Sequence, residues 1–397
     1  MTVDFDPYGE QAMTDPRPLY DAMVAEAPLH PIGQYDAWAA VGFDAVWDIC
    51  LDTKHFTCTR GQTPNQVLIG EPTGHTFPEL DPPEHRLRRR VLAPEYTREA
   101  ALVDSIWIRD LAREVLDPLL ANGSTEIDVY ADYAARVTAR VAARKAGVPD
   151  ADAERIRRRM DDMFAREPGQ RGSSPANLEA IGEVFGDLMG FVAAGRSDPG
   201  SATGHLATML TAVVDGVPLT DEEIAAELHT VMVTGSETTE LAVAATLFHL
   251  AERPDQLAAV RADRTLVPHA FAEAIRFDHP THVLCRAVGE DVTIGGTPMT
   301  AGQGVLLVWA AANRDPSVIE RPDEFDVHRQ GDRDLRFGHG QHKCLGEHLA
   351  MRMGTILLEE FFARVAEYEI THDGVERIYG EFLKGFCRLP MRVVPTR

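Results

Sequence analysis

Apolar residues recur three and four positions apart through much of the chain between Pro18 and about Ala274. The segments Ala100 to Leu120, Ala134 to Ala146, Ala151 to Phe164, Asn177 to Ala194 and Asp221 to Leu250 carry this spacing, which predicts helices with a buried stripe. Strand-like runs are few and short. Trp38 to Val41, Arg286 to Ile294, Gly304 to Trp309 and Leu389 to Val394 hold β-branched or aromatic residues bounded by Gly or Pro, and fit small sheets. The pattern is mainly α with small β-sheets, an α+β arrangement. Glu167 to Ala176 and Gly195 to Gly204 are rich in Gly, Ser and Pro, and read as connections flanking one helix rather than as domain linkers. The longest predicted helix starts after Pro218, with Thr220 as N-cap and Glu223 three residues later in a capping box.

Composition narrows the classes. A chain of 397 residues could make two or three ordinary domains or one large one. Hydrophobic residues at 44% and charged residues at 25% describe a globular protein, and no apolar run approaches the roughly eighteen residues of a membrane helix. The first residues lack a basic region and an apolar core, so no secretory signal is expected and cytoplasm is the expected compartment. A formal charge of −23 opposes non-specific binding to nucleic acid or anionic lipid. The five cysteines are odd in number, scattered and without a CxxC pair, which argues against a disulfide framework or a structural zinc site.

One cysteine is set apart by its neighbours. Phe337-Gly338-His339-Gly340-Gln341-His342-Lys343-Cys344-Leu345-Gly346-Glu347 precedes a helical pattern and places Cys344 at a helix start. There the free N–H groups and the positive end of the dipole are expected to lower the thiol pKa and favour the metal-binding thiolate. Taken bare, a cysteine near glycines is more often structural. A second segment, Thr234-Gly235-Ser236-Glu237-Thr238-Thr239, places Gly and three Thr inside the long helix, against helix propensity. Thr238 can turn its hydroxyl to the carbonyl of Thr234, which bends helices and can open a gap, with Glu237 as an acid beside it. The bland alternative is a packed helix with Glu237 on a solvated face. Glu273 and Arg276 stand three apart, as in a helical ion pair.

The FGxGxHxCxG spacing resembles the haem-binding signature of cytochrome P450 at every defining position. Thr234 to Thr239 resembles the family's A-G-x-(D/E)-T-T oxygen-binding segment, with Thr234 in place of alanine, and Glu273-x-x-Arg276 and Ala312 to Pro316 resemble further P450 segments. The third member of the Glu–Arg network is missing from its usual place, where Glu324 stands, leaving His328 or Arg329 as candidates. The resemblance implies one triangular, mainly helical domain over residues 1–397 enclosing haem b, and displaces the multi-domain reading. It implies Cys344 as the metal ligand and His85, Arg89, Arg286 and His342 as propionate anchors. Phe337, Gly338, Gly340, Leu345, Gly346 and Gly235 would line the cofactor.

In that reading Thr238 hydrogen-bonds dioxygen and its water, Glu237 relays protons, and one oxygen atom enters a hydrophobic molecule such as a terpenoid, steroid or aromatic ether. Hydroxylation or O-dealkylation would result. A peroxide-driven haem-thiolate oxygenase and a non-catalytic haem sensor are the alternatives. Electrons would come from NAD(P)H through a reductase and an acidic ferredoxin, [2Fe-2S] or similar, with no nucleic-acid or membrane partner and a monomeric state expected. Arg86, Arg88, Arg90, Lys343 and Arg352 form the expected basic docking island.

Overall fold

Capping and apolar periodicity together account for the long helices. In the computed structural model, which describes residues 3–121, 126–331 and 333–396, the site-forming helices are α1 (Glu84–Leu92), α2 (Arg98–Ala121), α3 (Ala135–Ala146) and α4 (Asp150–Phe164), followed by α5 (Pro175–Ser197), α6 (Asp221–Ala251), α7 (Val267–Phe277) and α8 (Glu347–Arg364). The capping box forms as expected. Thr220 Oγ1 accepts from the Glu223 amide at 3.2 Å, and Glu223 returns a bond to the Thr220 amide at 2.9 Å. Ser174 and Asn177 make the same reciprocal pair at the start of α5.

Helix α6 is apolar around its circumference and is correspondingly buried. Its first half packs Ile224 and Leu228 into a core with Ile156 of α4 and Val184 of α5. Its second half packs Leu247 into a separate core with Leu116 of α2, Phe271 of α7 and Phe361 of α8. The helix therefore joins both cores, and its middle turns lie where neither is continuous.

The strands of the two larger sheets are β1 (Leu29–Ile32), β2 (Ala37–Ala40), β3 (Phe56–Thr57), β4 (Glu126–Asp128), β5 (Val283–Val288), β6 (Gly304–Val308), β7 (Val365–Ile370) and β8 (Pro390–Pro395). The larger sheet has the order β1-β2-β6-β5-β3, with β6 parallel to β2 and the other pairs antiparallel. Val305 and Leu307 of β6 enter one core and Leu306 and Val308 another, which explains a continuous apolar run where alternation would mark a half-exposed strand. A three-stranded antiparallel sheet has the order β7-β8-β4.

The network of Glu273 and Arg276 is complete. Arg276 Nη2 lies 2.7 Å from Glu273 Oε1, and Arg329 supplies the third member with Nε 3.0 Å from the same oxygen. Arg276 also donates to the carbonyls of Asn313, Pro322 and Glu324, tying α7 to the chain that leads toward Cys344. Among the described residues no helix is long and apolar enough to cross a membrane.

Candidate active site

The loop before α8 folds as its glycines require. Gly338 and Gly340 adopt φ values of +71° and +70°, and a Cβ on Gly340 would stand 2.3 Å from the carbonyl oxygen of Cys50. The turn closes with the Cys344 amide donating to the Phe337 carbonyl at 2.9 Å, and Gly346 is the N-cap of α8. Cys344 thus sits at the helix start, on the wall of a cavity of about 1200 Å³. Among the described residues it is the one cysteine that lines this cavity, since Cys50, Cys58 and Cys285 are buried elsewhere and Cys387 lies outside it.

One expectation is corrected here. Cys344 is solvent-accessible at the open cavity, yet desolvation by the surrounding wall pushes its thiol up, and the Gly346 amide and Arg89 only partly oppose it. The helix start alone therefore does not make a thiolate, which needs a bound cation to displace the proton.

Helix α6 forms another wall. Gly235, Glu237, Thr238 and Thr239 all line the cavity. Thr234 donates to the Thr230 carbonyl at 2.8 Å, and Thr238 to the Thr234 carbonyl at 3.4 Å, a weak bond that leaves the Thr238 hydroxyl available. The helical run is continuous from Asp221 to Ala251, with both back-bonds inside it. Glu237 is buried rather than solvated, with Oε1 unpartnered. Burial, then the charges of Glu240 and Asp161, hold its carboxyl well above the usual range.

At the cavity's edge the predicted anchors meet. Arg89, Arg286 and His342 line the cavity, and the His85 ring lies 4.1 Å from that of His342, centroid to centroid. Arg286 is buried, and among the described residues its guanidinium donates one hydrogen bond, to the Cys285 carbonyl, and has no carboxylate partner. Both nitrogens of His85 and Nδ1 of His342 are buried without partners. Burial first, and then neighbouring arginines, push the imidazoles down, His85 to about 4 and His342 to about 2. Buried positive charge and idle donors without an anion are costly, so this cluster fits a ligand carrying carboxylates.

A family model for cytochrome P450 matches residues 201–383. The vitamin D(3) 25-hydroxylase of Pseudonocardia autotrophica is 30% identical over 396 residues, covering 96% of this chain and 94% of the relative. The chain belongs to the cytochrome P450 family. CYP108D1 from Novosphingobium aromaticivorans superposes with a TM-score of 0.85 at 28% identity, covering 99% of this P450 and 97% of that chain. A mutant of P450 EryK in complex with erythromycin B gives 0.86 at 26%, covering 97% and 98%. The protein is accordingly a monooxygenase of a family that binds haem b.

The residues present fit that cofactor. The cavity has a thiol on one wall, a small-residue helix turn at Gly235 on another, and an unmatched cationic cluster at its edge. At Gly235 a Cβ would meet nothing closer than Ala142 at 3.5 Å, so protein packing does not itself demand glycine there. The P450 also shows residues that local sequence patterns did not signal. Arg166 and Glu381, 215 positions apart, form a buried pair at 3.1 Å on the cavity wall, and Glu240 lies beneath Glu237 among hydroxyl donors.

The basic island is smaller than expected. Arg88 turns inward and pairs with Glu223, with Glu227 at 3.9 Å, because its face of α1 meets α6. Arg352 donates Nε to Ser105 Oγ at 2.7 Å and is partly buried. Arg86, Arg90 and Lys343 remain exposed, and Lys343 is paired with Glu347 at 2.6 Å.

Proposed function

We propose that residues 1–397 form one haem-thiolate monooxygenase domain, acting as a cytoplasmic monomer, that hydroxylates or O-dealkylates a hydrophobic molecule of terpenoid, steroid or aromatic-ether type. The observation that carries this reading is the shared cavity: Cys344 stands on one wall and the Glu237-Thr238 pair on another. Cys344 would hold the haem iron, and Arg89, Arg286, His85 and His342 its propionates. Phe337, Gly338, Gly340, Leu345 and Gly346 would line the thiolate side and Gly235 the opposite side. Bound haem supplies the redox centre for dioxygen chemistry, where thiolate ligation favours O–O cleavage.

The protein's part is binding and proton control. Thr238 presents a hydroxyl whose oxygen accepts and whose proton donates at the cavity surface, and Glu237 keeps a proton within the same helical turn, poised as a general acid. The acid and hydroxyl favour the dioxygen-dependent reading over the peroxide-driven one.

A volume of about 1200 Å³ exceeds the roughly 300–1,000 Å³ of ordinary ligand pockets, which leaves room for a cofactor and a second molecule. Phe164, Ile181, Phe185, Val233 and Phe382 supply apolar wall, and the Arg166–Glu381 pair supplies one fixed polar point. Relatives named for vitamin D(3) and a neighbour holding erythromycin B support a bulky substrate.

Electrons would arrive from an acidic ferredoxin reduced by its NAD(P)H-dependent reductase. A steroid and terpenoid panel, screened by haem spectral shift and then turned over with ferredoxin, reductase and ¹⁸O-labelled dioxygen, tests this. One labelled atom is expected in a hydroxylated product, or in the carbonyl fragment released by O-dealkylation; a hydroxylated product without label would refute it.

A further inference from the structure

Beneath the cavity-facing acid lies a second carboxyl that the reaction described so far does not use. Glu240 follows Glu237 by one helical turn on α6, is only 1% exposed, and does not line the cavity. It is held from outside its own helix. Tyr130, in the wide turn Val129–Ala134 ahead of α3, donates its hydroxyl to Glu240 Oε1 at 2.8 Å. Thr138 of α3 donates to Oε2 at 2.6 Å, closer than its own helix carbonyls of Ala134 and Ala135 at 3.1 Å.

The two carboxyls therefore differ in what they touch. Each oxygen of Glu240 accepts a hydroxyl proton, an arrangement that favours a carboxylate. Glu237 has a buried oxygen with no partner, which favours the neutral acid. The other charged groups facing them come from α4: Asp161 adds negative charge, and Arg157 opposes it while held by Asp161 at 2.7 Å and Glu154 at 3.0 Å. Two carboxylates this close in the interior cannot both ionise cheaply.

We propose that Glu240 is a positioning residue that fixes the single proton of a two-carboxyl pair on Glu237, the member facing the cavity. The proposal rests on Glu237 being the acid of the oxygen reaction. When Glu237 releases its proton toward the Thr238 side while Glu240 is ionised, two charged carboxylates remain one helical turn apart. Their repulsion drives uptake of a replacement proton at Glu237, and Tyr130 and Thr138 stay committed to Glu240 throughout. Burial raises both groups; the two hydroxyl donors pull Glu240 part of the way back, to about 8, so above that pH the pair holds one proton, and Glu237, whose buried oxygen has no donor, keeps it.

Infrared spectra of the ferric holoprotein in H2O and D2O, taken across a pH titration, provide the test. The C=O stretch of a buried neutral carboxyl shifts in D2O, and subtraction of the Glu237→Gln spectrum isolates the Glu237 band from those of Glu227 and Glu240, which burial also pushes up to about 8. In wild type the Glu237 band is expected to persist through neutral pH. In Glu240→Gln its midpoint should fall by at least about one pH unit, a tenfold loss of proton affinity. Tyr130→Phe removes one donor to Glu240, and should move the loss of the Glu240 neutral-carboxyl band to a pH above its wild-type midpoint of about 8; this keeps the test open if Glu240→Gln does not load haem. An unchanged Glu237 midpoint in Glu240→Gln, or a band persisting well above about pH 8 that is removed by Glu240→Gln and not by Glu237→Gln, would overturn the proposal. Turnover separates the underlying reading: Glu237→Gln that retains full coupling of product to NAD(P)H would refute Glu237 as the acid, whatever the infrared bands show.

Discussion

Removing Arg276 is expected to damage this protein more than removing Arg329, although both contact Glu273. The side chains of Glu273 and Arg276 are each 4% exposed, whereas Arg329 is 13% exposed and lies at the edge of the network. Arg276→Leu strips Glu273 of a bidentate partner and leaves the carbonyls of Asn313 and Pro322 without its guanidinium. Breaking a buried pair from one side costs about 3–5 kcal/mol. Arg329→Leu removes one charge-assisted bond to Glu273 and exposed bonds to the carbonyls of Glu320, Arg321 and Glu324, which water can replace, while Arg276 and the Asp326 amide continue to satisfy the carboxylate. A cost of about 1.5–3 kcal/mol follows. Loss of the Soret band at one fixed temperature reads the difference, which at about 1.4 kcal/mol per tenfold predicts decay roughly ten times faster in Arg276→Leu than in Arg329→Leu. The double variant Glu273→Leu with Arg276→Leu should decay more slowly than Arg276→Leu alone, because no buried carboxylate is left short of partners and the more exposed Arg329 keeps its bonds to the carbonyls of Arg321 and Glu324. Equal decay in the two single variants, or a double variant worse than the sum of its parts, would refute the division of labour between the arginines.

Other outcomes follow from the same geometry. Arg286→Leu and His342→Phe should weaken haem retention in apomyoglobin competition while leaving helix content unchanged, since Arg286 has no protein carboxylate to lose; unaltered retention would remove the anchor assignment. Thr238→Ala should keep haem and substrate binding yet divert reducing equivalents into peroxide or water, read as product formed per NAD(P)H consumed. Arg86→Glu and Arg90→Glu should slow reduction by ferredoxin and flatten its salt dependence with little effect on stability, whereas Arg88→Glu should chiefly destabilise the fold because it faces Glu223 and Glu227. A stable Arg88→Glu protein with impaired ferredoxin reduction would reverse that assignment.

The parts of the site readable from the chain are those in which a short segment does the whole task. The glycines before Cys344 and the capping box at Thr220 specify their own geometry, and both form as expected. What was not readable depends on partners brought by the fold. Arg329 could not be chosen over His328 until the segment after Glu324 was laid against α7, and Arg166 meets Glu381 only through tertiary packing. Arg88 was misread because α1 carries arginines on every side, and only contact with α6 decides which is buried. Glu240 left no amphipathic signal in a helix buried all round. Strand β7 was hidden because Val365-Ala366-Glu367-Tyr368-Glu369-Ile370 continues directly from α8, and β4 is three residues long and ordered by pairing with β8. The pKa expectation for Cys344 failed for a related reason: the helix start was visible, and the desolvation at the cavity wall was not.

Thiolate ligation by Cys344 is tested most directly by the spectrum of dithionite-reduced protein under carbon monoxide. Wild type and the Cys58→Ala control, whose sulfur lies 3.4 Å from His342, should both show the strongly red-shifted Soret band of a thiolate-ligated haem. Cys344→Ala should lose that band while retaining its helix content. A red-shifted band that persists in Cys344→Ala, or is absent from haem-loaded wild type, would contradict the assignment on which the site rests.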